Sequence, residues 1–84
     1  MEWYHITFRS ITPAQRGERL LRQSGIDATL MRAVRQISAE GCGYSLRVRS
    51  RDGDAAVRLL QSKGIPYKRV FHQSAGGEVV ELKP

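Results

Sequence analysis

The chain has 84 residues, enough for one small domain, and carries a net charge of +6 with a single cysteine. A domain of this size buries roughly 60% of its unfolded surface and can fold without metal or disulfide, and one cysteine cannot form an internal bridge. The start, Met1 to His5, lacks the regions of a signal peptide, no apolar run reaches the roughly 20 residues of a membrane span, and no Cys/His group has zinc-ligand spacing.

A soluble, cytoplasmic protein without metal, cofactor or membrane partner is therefore expected. The positive charge permits an acidic partner of some kind, without choosing among protein, nucleic acid and small anion.

In chain order, Trp3-Tyr4-His5-Ile6-Thr7-Phe8 is aromatic and β-branched and predicts a strand. Tyr4, Ile6 and Phe8 fall on one face and Trp3, His5 and Thr7 on the other. Thr12-Pro13-Ala14 predicts a helix start, with Thr12 as N-cap and Pro13 at the first helical position, where its missing N–H has no partner to lose. Ala14, Gly17, Leu20 and Leu21 recur at helical spacing as the buried face, and Gly25 suits the left-handed residue that closes a helix.

Ala28 to Arg32 reads as a second strand and residues 33–43 as a loop. Tyr44 to Arg49 alternates, with Tyr44, Leu46 and Val48 inward and Arg47 and Arg49 outward. Ser50 or Asp52 caps a second helix with Ala56, Leu59 and Leu60 on its apolar face, and Gly64 closes it. Tyr67 to His72 supplies a fourth strand. Ser74-Ala75-Gly76-Gly77 reads as a flexible break and Glu78 to Leu82 as a short edge strand or loose tail, so residues 1–73 form the expected domain and 74–84 its appendage.

An internal echo supports this division. Leu20-Leu21-Arg22-Gln23-Ser24-Gly25-Ile26 aligns with Leu59-Leu60-Gln61-Ser62-Lys63-Gly64-Ile65, each a helix end, a glycine and the approach to a strand. Two such units give β-α-β-β-α-β, an α+β ferredoxin-like arrangement with a mostly antiparallel four-stranded sheet and two helices on one face.

Chemistry gathers at Gly41-Cys42-Gly43, which holds the only cysteine. The deduced topology brings the loop after the second strand to the sheet edge where the first strand ends and the first helix begins. A helix N-terminus carries unpaired N–H groups, and with nearby arginine it favours the thiolate, the reactive form of cysteine. Arg9, Arg16 and Arg35 are the candidate arginines, Thr12 marks the helix start, and Gly41 and Gly43 leave the sulfur approachable. The bland alternative is a small buried hydrophobe between two turn glycines. The residues alone leave both readings open. Neither His5 nor His72 has a triad partner in view, so a hydrolase is poorly supported.

The chain resembles the small selenium/sulfur carrier protein-like domains, which also occur fused behind sulfur-carrier domains in selenium metabolism proteins. The resemblance covers roughly residues 4–72 and rests on Tyr4-His5-Ile6-Thr7-Phe8, on Ala14, Glu18 and Leu21, and on Ile37-Ser38 leading to Cys42-Gly43. Leu46 and Arg47 follow, and the helix ending in Gly64-Ile65 completes it. It implies a carrier rather than a stand-alone enzyme, with Cys42 holding sulfur as a persulfide or selenium as a selenopersulfide. It further implies loading by a cysteine desulfurase or another sulfur or selenium donor, and delivery to a biosynthetic acceptor such as a selenophosphate synthase. Where the family often has proline then arginine before its Ile/Leu-Ser pair, this chain has Val34-Arg35, with a loop about one residue longer.

A rival reading uses the other sheet face, expected to show Trp3, His5, Arg47 and Arg49 with Lys68 or Arg69. Aromatic and basic residues on an open four-stranded sheet stack RNA bases in some domains, but the Lys/Arg-Gly-aromatic run of those domains is absent and nucleic acid is not the expected partner. Trp3 on that face points instead to a protein contact, a homodimer or an acidic partner. A regulatory module binding a small molecule rests on fold analogy alone.

Overall fold

The strand β1 (Trp3–Phe8) has a hydrogen-bonded neighbour on each side, and the rest of the molecule is laid out from it. A computed structural model describes residues 1–33 and 43–82. After β1 come α1 (Ile11–Gln23), β2 (Ala28–Arg32) and β3 (Tyr44–Arg49). A single 3₁₀ turn, Ser50–Asp52, then leads into α2 (Gly53–Ser62), followed by β4 (Val70–Gln73) and β5 (Val79–Leu82). The fold is α+β, with one five-stranded sheet in the order β2-β3-β1-β4-β5, and every neighbouring pair is antiparallel.

The strand count corrects the expected four. Val79–Leu82 pairs along β4 from Val70↔Leu82 to Gln73↔Val79. The glycines read as a flexible break instead make the turn between them. Gly77 adopts φ +91°, Gly77 N–H donates to the Ser74 carbonyl at 2.9 Å, and Ser74 N–H donates to the Glu78 carbonyl at 2.9 Å. β4 is also shorter than the expected run from Tyr67. Ahead of it the ladder continues irregularly: Thr7 N–H donates to the Arg69 carbonyl, and its hydroxyl oxygen accepts from Arg69 N–H at 3.0 Å.

Alternation on β1 divides the sheet's faces. Ile6 and Phe8 join Leu46 and Val48 of β3 and Ala28 of β2 in a core completed by Ala14 and Leu21 of α1 and Ala56 and Leu60 of α2. Both helices therefore cover the same face. Gly17 allows α1 to lie close: a methyl there would come within 3.1 Å of the Leu46 and Leu60 side chains and 3.4 Å of the Phe8 ring. Gly53, the first residue of α2, sits under the Tyr4 ring in the same way, with no room for a side chain.

The two aligned segments end their helices identically. Gly25 (φ +82°) and Gly64 (φ +67°) take the left-handed conformation, Ile26 N–H donates to the Leu21 carbonyl at 2.9 Å and Ile65 N–H to the Leu60 carbonyl at 3.0 Å. Each is a Schellman closure, with the buried isoleucine beyond the glycine joining the same core as the leucine it bonds. The helix starts differ from expectation. Ser10, not Thr12, occupies the N-cap of α1, and its side chain makes no cap hydrogen bond. Pro13 is consequently third in the helix, still among the N–H positions that lack an intrahelical acceptor. At α2 the cap is Asp52, again without a side-chain cap bond.

Replacing Gly53 by alanine drives a methyl into the Tyr4 ring and forces either α2 or the ring to shift. The Gly53→Ala protein should lose about 1–3 kcal/mol of stability in urea unfolding, whereas a loss below a few tenths would show that the ring moves freely.

Candidate functional site

The register places three chain ends level with one another. Phe8, the last residue of β1, pairs with Tyr44, the first of β3, and Tyr44 pairs with Arg32, the last of β2. Gly43 precedes Tyr44, and its carbonyl accepts from Ala33 N–H at 3.3 Å. Two constraints make glycine necessary there. Its φ is +116°, and a Cβ would lie 2.8 Å from the Phe8 carbonyl oxygen. The residue after Cys42 is thereby held against the end of β1, two residues before the N-cap of α1.

Around this point lies a cleft of about 440 Å³ lined by Arg9, Ser10, Ile11, Arg32, Gly43 and Tyr44, with Ala33 at its edge. Both arginines are exposed, and the first turn of α1 carries no acidic side chain. The cleft is thus bounded by two guanidinium groups and by the positive end of a 13-residue helix. Such a setting stabilises an anion, including a thiolate.

Of the residues singled out from the sequence, Arg9 and Gly43 come together here. Thr12 and Arg16 are exposed on α1 and do not line the cleft. Gly41, Cys42 and Arg35 lie outside the described residues. Arg32 was missed. Its signal was positional: as the last residue of a strand whose partner begins at Tyr44, it sits opposite Tyr44 and next to Gly43.

The face of the sheet away from the helices is not the open basic platform expected. His5, Thr7 and Ser45 are buried there, His5 at 4% exposure, and so is Phe71, the cross-strand partner of His5. Buried rings cannot stack bases, which leaves Trp3, and the Arg47 guanidinium carbon already lies 4.1 Å from its ring centroid. His5 shares its Nε2 with Gln73 Oε1 at 2.8 Å, while its Nδ1 has no partner. Burial holds the His5 imidazole below its ordinary pKa; the Gln73 hydrogen bond opposes the shift and the Arg47 charge adds to it. Among the described residues no group of three His, Cys, Asp or Glu could hold a metal. No helix among them is long and apolar enough to cross a membrane.

Two measurements follow. Gly43→Ala must strain a left-handed residue against the Phe8 carbonyl, so unfolding should cost about 1–3 kcal/mol less free energy than in the parent protein; unchanged stability would mean this corner is not held as described. For His5, the unfolded chain takes up the proton at about pH 6.5 while the folded chain resists it. Its stabilising contribution is complete above that pH and is lost as the pH falls toward the lower folded value. Thermal unfolding should therefore show stability dropping from pH 7 to pH 5, and the drop should flatten in His5→Gln.

Neither the comparison with curated proteins nor that with solved structures gives a match. A family model does match, over residues 3–72, which include β1, both helices, the cleft residues and Cys42. The chain belongs to the family described as "Putative Se/S carrier protein-like".

Proposed function

We propose that the protein carries sulfur or selenium on Cys42, held as a persulfide or selenopersulfide. The observation that carries this reading is the position of Gly43, fixed against the Phe8 carbonyl beside Arg9, Arg32 and the start of α1. Membership of a Se/S carrier family supplies the cargo. We also read β2-β3-β1-β4 with its two helices as a ferredoxin-like unit to which β5 has been added.

The chemistry asks little of the protein. The Cys42 thiolate attacks the outer sulfur of a persulfide on the donor, the donor S–S bond breaks, and the donor cysteine leaves as thiolate. Cys42 then bears the outer sulfur. One S–S bond replaces another, so no net oxidation occurs, and no general base is needed if the thiol is already ionised. Arg9 and Arg32 would favour both the attacking thiolate and the anionic persulfide that follows. A cysteine desulfurase fits the donor, and a biosynthetic enzyme such as a selenophosphate synthase fits the acceptor. The charge of +6 would steer encounter with acidic partner surfaces and favour them over basic ones.

Incubation with a desulfurase and cysteine should add one sulfur atom by intact-mass spectrometry, absent in Cys42→Ser. Alkylation by iodoacetamide should follow an apparent pKa below the free value of about 8.5, rising in the Arg9→Gln, Arg32→Gln double variant. A thiol that titrates at or above that value and gains no sulfur sinks the carrier reading.

A further inference from the structure

At the opposite end of β1 from Gly43, beside Trp3, a second cleft of about 590 Å³ opens. It is lined by Trp3, Arg22, Asp27, Thr29, Arg47 and Arg49, with the Gly25 turn forming its remaining wall. Arg47 and Arg49 are successive outward positions of β3, roughly 6.7 Å apart along the strand, and Trp3 pairs directly with Arg49. Both arginines are half-buried, and no carboxylate pairs with either among the described residues.

Three details distinguish this cleft from a solvated basic face. The Arg47 guanidinium is fixed on the Trp3 ring rather than free in water. Its buried Nε has no acceptor, and a charged donor without an acceptor is a cost that an oxyanion nearby would reduce. Finally, Arg22 at the mouth is itself held, by Glu18 at 3.3 Å and by the Ala28 carbonyl at 3.1 Å. Among the described residues Asp27 is the acid lining the cleft. Positive charge therefore dominates, and part of it is pre-oriented, so little rotamer entropy is lost when an anion arrives.

We propose that this cleft binds a phosphate group, either free or as the monoester of a small molecule. Two guanidinium groups on one strand, without a carboxylate partner among the described residues, match the double charge and several acceptor oxygens of phosphate better than the single charge of a carboxylate. The volume exceeds that of a bare phosphate and falls in the range of small-molecule sites, leaving room for an organic portion. Trp3 and the Thr29 hydroxyl stand at hand to contact that portion. The site lies at the far end of β1 from Gly43, so its occupancy and the chemistry of Cys42 can fail separately.

Trp3 is the only tryptophan, so intrinsic emission reports on the cleft directly. Inorganic phosphate and ribose 5-phosphate are titrated separately, with ionic strength held constant by sodium chloride. Each should change the emission saturably, and half-saturation should rise at least 10-fold in Arg49→Gln, whose circular dichroism should match the parent. Arg49→Lys, which keeps the charge, should lose less. Tighter binding of the ester identifies an organic ligand, and equal or tighter binding of inorganic phosphate identifies the free ion. A linear response no different from that of chloride, or a half-saturation unaltered in Arg49→Gln, overturns the proposal.

Discussion

The absence of a side chain at Gly17 is the constraint on which the rest of the packing depends. α1, α2 and the sheet meet at that residue, through Leu60 from one side and Leu46 and Phe8 from below. Because α1 approaches this closely, Ala14 and Leu21, one turn away on either side, are fully buried against the same strands. A small domain has few such contacts to draw on, and close approach raises the dispersion energy that each one supplies. The short residues along this seam, Ala14, Gly17, Ala28 and Ala56, let a modest set of larger side chains pack closely in the interior.

Fixing α1 there also fixes its N-terminus over the ends of β1 and β2, and so determines which charges meet. Arg9 precedes the helix and Arg32 ends β2. They converge at the cleft because α1 is held on the sheet, in part by Gly17 against Leu46 of β3. At the other end of the same strands the Schellman turn of α1 brings Arg22 toward Arg47 and Arg49. A helix crossing over a strand thus presents basic residues at both of its ends. Five of the fourteen basic residues line these two clefts, and a local field differs from a global one in the partners that it can discriminate.

Much of this was legible in the residues, for reasons that differ by element. The helix closures were visible twice over because glycine followed by isoleucine is required by a left-handed residue and by the core contact beyond it. The alternation of Tyr44 to Arg49 gave its face correctly since one side is wholly apolar. The helix starts were less legible: Thr12-Pro13 is a strong local signal, yet the chain leaves β1 already turning at Ser10, and Pro13 is tolerated two residues further in. The burial of His5 could not be read from alternation, which assigns a face but not what lies above it. Phe71 and Gln73 on the neighbouring strand, 66 and 68 residues away in sequence by numbering, decide its surroundings. Arg32 escaped notice because its importance comes from register with Tyr44, a property of two strands rather than of one. Cys42 drew attention as the only cysteine, set between two glycines where the topology brings a helix start, and its proposed role rests on the residue next to it and on the family.

The fifth strand has a bearing on assembly. The region matched by the family model ends at residue 72, whereas the turn after Gln73 and β5 lie beyond it. Taken alone, the matched region would leave β4 with one side of its backbone unpaired, a template for adding a strand from another chain. In this protein the chain fills that position itself, and the new boundary strand is four residues long. Recruitment by β-augmentation at β4 is thereby closed to other molecules, and among the described residues β2 and β5 are the outer strands of the sheet.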